Sequence, residues 1–410
     1  MKIFISTGEV SGDLQGALLI DALKRHAVAA NLKLEISGLG GRRMAEAGAT
    51  ILGDTVGIGS VGILESVPYI WPTMQVQQKA KQYLKKSPPD AVVLIDYLTP
   101  NLGIGSYIRR YLPSLPVLWY IAPQEWVWSI SPRNTSLIIK VCDRILAIFP
   151  EEARYFAEKG AQVSWVGHPL VDRMQAAPSR EVARKTLGIA PEQVSIALIP
   201  ASRHQELKYL MPVIFEAAKI IQDRVPEVHF WIPLSREEYR SSIEGAIEKY
   251  GLRATLLDDR NLEILAASDL AIAKSGTVNL ELALLDIPQV VAYRVSRITA
   301  WIARHLLKFS IPFMSPPNLV QMKPIVPELL QDEATAENIV AHSLELLHNV
   351  DRRQQTLAEY REMRESLGEV GVCDRAALEI IKQLTVVGCV ATNHPKQKST
   401  IDERRTKVDS

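Results

Sequence analysis

Ile3-Phe4-Ile5-Ser6-Thr7-Gly8-Glu9-Val10-Ser11-Gly12-Asp13 (IFISTGEVSGD) is the stretch from which the fold is read. Ile3–Ser6 is a short run without clean polar alternation, which predicts a strand buried on both faces. Gly8 and Gly12 permit a tight turn, and Asp13 is placed to cap a helix expected over Asp13–Lys24. The same order recurs downstream. Strands are expected at Ala91–Ile95, Val117–Ile121 and Arg144–Phe149, with helices at Asn101–Arg110 and Glu151–Lys159. Such alternation implies right-handed crossovers and a parallel sheet. After a polar, Ala-rich connector over Gln175–Thr186 the pattern restarts. It runs as strand Ser195–Pro200, helix Gln205–Gln222, strand His229–Ile232, helix Arg236–Tyr250 and strand Ala254–Leu257. Helix Leu262–Ala267, strand Leu270–Ala273, helix Thr277–Leu285 and strand Gln289–Ala292 complete it. The reading is α/β: two doubly wound Rossmann-like halves, residues 1–172 and 187–333, facing across a ligand cleft. Helical periodicity fills 334–386, and the polar stretch 387–410 reads as a disordered tail.

Composition narrows the partners. The 410 residues carry 47 Lys+Arg against 46 Asp+Glu, a net charge of +1. That balance lacks the basic excess of a phosphate-neutralising nucleic-acid binder. Cys142, Cys373 and Cys389 are widely separated, form no metal spacing and read as reduced thiols. Met1-Lys2 passes at once into the short run Ile3-Phe4-Ile5, unlike a signal peptide, and no stretch reaches the roughly 18–20 apolar residues of a membrane span. The chain is expected in the cytoplasm, or peripheral on the inner face of the cytoplasmic membrane. No metal and no cofactor are expected.

Chemistry-bearing residues gather at strand ends. Glu9 follows the first strand, where a ligand-facing polar group belongs. Asp96 ends the apolar run Leu94-Ile95 and faces the expected cleft. Asn101 is the better helix cap, which leaves Asp96 for proton transfer. In the second half, Pro200-Ala201-Ser202-Arg203 suits a phosphate, through backbone amides and a planar guanidinium. Ser275-Gly276-Thr277 places N–H groups at a helix start, an anion site, and Glu281 lies one turn on, placed for ribose hydroxyls. Two phosphate-type loops without a Gly-x-x-x-x-Gly-Lys-Ser/Thr run favour a nucleotide-sugar over ATP. Gly57-Ile58-Gly59-Ser60-Val61-Gly62 matches G-x-G-x-x-G, but Ile51-Leu52-Gly53-Asp54 is a poor preceding strand and position 77 is Gln, so it reads as a flexible loop.

Thr7–Asp13 (TGEVSGD), Gly38–Met44 (GLGGRRM), Ala122–Trp128 (APQEWVW), Val166–Pro169 (VGHP), Ser275–Glu281 (SGTVNLE) and Pro317-Asn318-Leu319 together resemble the lipid-A-disaccharide synthase family, in the family's order over residues 1 to about 384. The resemblance implies a GT-B glycosyltransferase fold. It implies transfer of 2,3-diacylglucosamine from UDP to 2,3-diacylglucosamine 1-phosphate, with inversion, a β-1,6 linkage and no metal. It implies that Glu9, Asp96, Arg203 and Asn318 serve activity, and that Ser275, Gly276, Thr277 and Glu281 form the UDP loop, with Ser202 beside Arg203. A homodimer paired through the C-terminal segment is also implied. The chain departs from the family pattern in three places. Asp96-Tyr97-Leu98-Thr99-Pro100-Asn101 replaces a run with a second acid, Ala201 replaces a glycine, and Ala122-Pro123-Gln124-Glu125-Trp126-Val127-Trp128 replaces Ser-Pro-Ser-x-Trp-Ala-Trp.

A lipid-linked substrate needs bilayer access. Val61, Ile63, Leu64, Val67, Tyr69, Ile70 and Trp71, followed by Lys79, Lys81, Lys85 and Lys86, form an apolar stretch beside cations that suits anionic lipid. Ile298–Phe313 is a second apolar stretch, read as core packing. Two rival readings remain at this stage: a UDP-sugar epimerase of the same architecture, and a membrane-associated sugar-nucleotide or lipid-binding protein without turnover.

Overall fold

The computed structural model describes residues 1–56, 67–127, 131–296, 298–301 and 311–392. Strands β1 (Lys2–Ser6), β2 (Glu35–Gly40), β3 (Thr50–Asp54), β4 (Ala91–Ile95), β5 (Val117–Tyr120), β6 (Arg144–Ala147) and β7 (Val163–Trp165) form one sheet, ordered β3-β2-β1-β4-β5-β6-β7. A second sheet contains β8 (Val194–Ile199), β9 (Val228–Pro233), β10 (Ala254–Leu257), β11 (Leu270–Lys274), β12 (Gln289–Tyr293) and β13 (Glu328–Leu330). Its order is β10-β9-β8-β11-β12-β13. The pairings are parallel. In each sheet the winding reverses beside its first strand, between β1 and β4 and between β8 and β11. That reversal opens a crevice at the strands' carboxyl ends.

Helices cover both faces of each sheet, which explains the continuous apolar runs. Along β1 the side chains alternate: Ile3 and Ile5 pack with Leu19 and Leu23 of helix Glu9–Ala29. Phe4 packs on the opposite face with Leu84, Ile104 and Ile108. In β8, Ile196 and Leu198 join one core while Ala197 and Ile199 join another.

Several expectations are corrected. Ile51–Asp54 is not a poor strand: it lies in β3, an edge strand that needs one partner only, paired with β2 through an irregular register at Gly38/Leu39. Gln205–Gln222 is two helices, His204–Tyr209 and Met211–Arg224, divided at Leu210 where Pro212 enters the second helix's first turn. The connector holds helix Arg180–Leu187, opened by Ser179 Oγ accepting the Val182 N–H at 3.3 Å and closed by Gly188 at φ 69°.

The helices after 334 pack on both halves. Helix Ala336–His348 contributes Ile339, Val340 and Leu346 to the second half's core. Helices Val350–Leu367 and Val372–Thr392 return to the first half, where Tyr360, Met363, Cys373, Ala376 and Ile380 share a core with Ile3, Ile5 and Leu19. An ion pair from Asp374 to Arg25 at 2.8 Å lies over that junction. The helix continues through Thr392, past the expected start of the tail at 387; residues 393–410 lie outside the described residues. No described helix is long and apolar enough to cross a membrane.

Candidate active site in the cleft between the two sheets

Both winding reversals open onto one cleft. Gly8 brings the backbone against Tyr97, since a Cβ there would lie 2.5 Å from its ring, and Glu9 follows as the first residue of its helix at φ 60°. Across the reversal, Asp96 and Tyr97 are left-handed at φ 46° and 51°, and Ile121, at the end of β5, is left-handed at φ 59°. Non-glycine residues in this region cost energy, most of all a β-branched one, and such strain collects at functional sites. Asn101 braces the strand ends from below. Its Nδ2 donates to the Asp96 carbonyl at 2.8 Å and the Ile95 carbonyl at 3.0 Å, and its Oδ1 accepts the Ser6 hydroxyl at 2.7 Å. Asn101 is therefore a brace inside helix Leu98–Tyr111 and not its cap.

Asp96 meets solvent at the floor of a cavity of ≈660 Å³ that also contains Glu9, Tyr69, Ile70, Thr73, Met74, Gln77 and Lys81. Asp96 is exposed as a residue within this cavity. Desolvation of its carboxyl, with the Glu9 charge second, pushes its pKa up to about 6; the Tyr97 N–H and Arg203 act in the opposite direction.

An adjoining cavity of ≈410 Å³ takes its walls from both halves. Glu9, Ser11 and Arg43 come from the first, while Ser202, Arg203, Arg236, Asn261, Lys274, Gly276, Thr277 and Glu281 come from the second. Arg203 follows β8. Its Nη2 donates to Glu9 Oε2 at 2.6 Å across the cleft, and its Nη1 donates to Glu206 Oε1 at 3.4 Å. Burial opposes the guanidinium charge, but Glu9 and Glu206 more than offset it and hold Arg203 charged. Glu206 also accepts the Ser202 and Arg203 backbone N–H groups, at 2.6 and 3.0 Å, which shapes the turn after β8.

Several of the expected site residues have partners within the protein. The Ser275 N–H donates to the Ala292 carbonyl and its hydroxyl to the Met314 carbonyl, so both are engaged inside the loop. The Gly276 N–H is taken by Asn279 Oδ1 at 2.7 Å. Gly276 and Thr277 line the cavity and Ser275 does not. Glu281 is engaged by Arg173, which spacing did not reveal; burial, followed by Arg43, lowers the Arg173 pKa to about 10. Asn318 is 1% exposed and lines neither cavity. It bonds the Val326 carbonyl and N–H at 3.0 and 2.9 Å and Glu328 at 3.3 Å. Glu328 accepts the Met314 and Ser315 N–H groups, so Asn318 braces the segment on which Ser275 rests. Asp13 sits inside helix Glu9–Ala29 and accepts the Gly41, Arg43 and Met44 N–H groups. It therefore caps helix Arg42–Glu46 and sets Arg43 at the cavity wall.

At the cleft's outer edge Ile70, Trp71 and Met74 are 54%, 67% and 52% exposed. Gly57–Gly62, Ile63 and Leu64 lie outside the described residues, as do 302–310. Ile298 and Trp301, read as core, are 61% and 56% exposed.

Comparison with known proteins agrees with this architecture. Residues 3–381 match the family model for lipid-A-disaccharide synthetase. The lipid-A-disaccharide synthase of Gloeothece citriformis is 60% identical over 93% of this chain and 99% of its own. That of Synechocystis is 53% identical over 93% and 98%. A UDP co-structure of Staphylococcus aureus MnaA superposes at TM-score 0.64 with 14% identity, covering 96% of this chain and 98% of that one. A putative UDP-N-acetylglucosamine 2-epimerase from Listeria monocytogenes superposes at 0.63 with 16% identity over 94% and 97%. These likenesses establish the GT-B-like fold. With two doubly wound halves meeting at one charged cleft and a match along nearly the whole length, the chain belongs to the lipid-A-disaccharide synthase family of glycosyltransferases.

Proposed function

We propose that this enzyme transfers 2,3-diacylglucosamine from UDP to 2,3-diacylglucosamine 1-phosphate, inverting the anomeric centre to form a β-1,6 disaccharide 1-phosphate and UDP. The observation that carries this reading is the joining of two adjacent cavities by Glu9: one opens on Asp96, the other on Arg203. Inversion needs a proton acceptor beside the incoming hydroxyl, on the side opposite the departing diphosphate. Asp96 is the base, taking the acceptor hydroxyl's proton as the oxygen attacks the anomeric carbon. Arg203, with Thr277, holds the diphosphate against a wall that Ser202 and Gly276 shape, and the UDP–sugar bond breaks as the new bond forms. Asn261 Oδ1 is buried, without a partner among the described residues, and lines the same cavity, which suits a donor on the nucleotide base. Glu281, Ser275 and Asn318 support the loop from behind. Ile70, Trp71 and Met74 rest on the bilayer beside Lys79 and Lys81, admitting acyl chains to the cavity that holds Asp96.

The test is mass spectrometry of products from purified protein given UDP-diacylglucosamine with and without the monosaccharide 1-phosphate. Acceptor-dependent disaccharide and UDP are expected. A changed sugar without acceptor would make the protein an epimerase, and no product in either reaction would leave it a binding protein.

A further inference from the structure

The carboxyl ends of β8 and β11 flank the second winding reversal, as those of β1 and β4 flank the first. Arg203 follows β8, and the matching place on β11 is its last residue, Lys274. Lys274 is 8% exposed. Its ammonium makes no hydrogen bond or ion pair among the described residues, and the side chain lines the ≈410 Å³ cavity. Three other cations of this wall are engaged, Arg203 with Glu9 and Glu206, Arg173 with Glu281, and Arg236 with Glu238, while Arg43 is half-buried and makes no ion pair among the described residues. Gly276 makes room for the ammonium, because a Cβ there would lie 2.4 Å from Lys274 Nζ. Burial lowers the lysine pKa; Arg203 adds to this, and Glu206 and Glu9 oppose it.

A largely buried side chain whose ammonium has no protein acceptor leaves that ammonium to cavity water, which a bound anion can replace. We propose that Lys274 is a diphosphate-binding residue, turned into the cavity beside Arg203 so that the nucleotide's diphosphate supplies the acceptor it lacks and it stabilises the departing diphosphate. This rests on the donor being a nucleoside-diphosphate sugar. Lys274 and Arg203 then grip the diphosphate from both sides of the reversal. A compact ammonium meets it as a point charge where the guanidinium meets it as a fork.

The experiment combines calorimetric titration of UDP, uridine and inorganic pyrophosphate with thermal melting, for the wild type, Lys274→Met, Lys274→Gln and Gly276→Ala. Lys274→Met should lower UDP and pyrophosphate affinity by ~10- to 100-fold, the usual worth of a charge-assisted contact, with uridine unchanged. Unliganded Lys274→Met should melt at or above the wild-type temperature, because the ammonium has no protein acceptor to lose. Lys274→Gln, which keeps a polar end, supplies the same comparison if the methionine variant does not fold. Gly276→Ala, which pushes the ammonium aside and leaves its charge, should weaken UDP in the same direction. Equal UDP affinity in the wild type and Lys274→Met overturns the assignment, as does an equal loss for uridine. A wild type that ignores UDP yet binds pyrophosphate through Lys274 removes the nucleotide-sugar reading and keeps the anion site; loss of both removes both.

Discussion

Replacing Asp96 by Asn should reduce turnover by about 10²–10⁴-fold, the usual contribution of general base catalysis, while UDP affinity barely changes. The substitution keeps the side chain's shape and the Asn101 bonds, which go to the Asp96 carbonyl and not to its carboxyl. The expected pH profile follows from the raised pKa. Desolvation first, and the Glu9 charge second, favour the neutral acid, so the proton leaves at about pH 6. A base works only when deprotonated, so kcat/KM for the acceptor should rise with pH through about 6, level off above it, and be lost as pH falls. Glu9→Gln removes one of the charges raising that value. The acid limb should then move down by roughly 0.5–1 unit, the effect of one nearby charge in a cleft that water reaches. Initial rates of UDP release at saturating donor, across that pH range, provide the assay. Near-normal turnover in Asp96→Asn, or an unmoved acid limb in that variant, would refute the reasoning; a collapse confined to Glu9→Gln would transfer the base to Glu9.

Arg203→Ala should weaken UDP by about 1.5–3 kcal/mol for each charge-assisted hydrogen bond lost, read by calorimetry, and Arg203→Lys should restore only part because the fork is gone. Glu9→Gln should bind UDP more tightly than the wild type, since a diphosphate no longer competes with a carboxylate for Arg203; weaker binding would count against that competition. The protein should sediment with anionic liposomes at low salt and detach as ionic strength rises, and Ile70, Trp71 and Met74 changed together to Ser should abolish attachment with UDP binding intact. Continued sedimentation of that variant would shift attention to Ile298 and Trp301.

The central strands were legible because burial on both faces leaves an unbroken apolar run, as in Ala91–Ile95, which matches β4 residue for residue. β2 was not legible. It contains Gly38, where a Cβ would stand 2.0 Å from the Ile5 carbonyl oxygen, and a strand glycine demanded by a neighbouring backbone reads locally as a loop. β7 and β13 are three residues each, too short for a period to register. Site residues at strand ends could be found from position and charge, and Glu9, Asp96 and Arg203 do converge on the two adjoining cavities. Their partners could not. Arg173 and Glu281 lie 108 residues apart, and Glu9 and Arg203 lie 194 apart, so only the folded cleft pairs them. Lys274 was open to the same strand-end argument as Asp96. The small residues that follow it drew attention to backbone N–H groups that the loop turns out to use itself.

The Glu9–Arg203 pair has a bearing on how the cleft handles a donor. At 2.6 Å, with both side chains 25% exposed, it joins the reversal point of one sheet to that of the other. An ion pair in such a place gains little net stability, because desolvating both charges offsets most of their attraction. It does keep a guanidinium charged and aimed at the cavity before any ligand arrives, which reduces the ordering cost of binding an anion. A diphosphate brings more charge than the carboxylate, and under the proposed reaction it displaces Glu9 from Arg203. Glu9 also lines the cavity that holds Asp96, so the released carboxylate is within reach of the space where the acceptor sugar would lie. Donor binding would thereby present a hydrogen-bond acceptor to the second substrate, and the order of binding would follow from a single exchange of partners at Arg203.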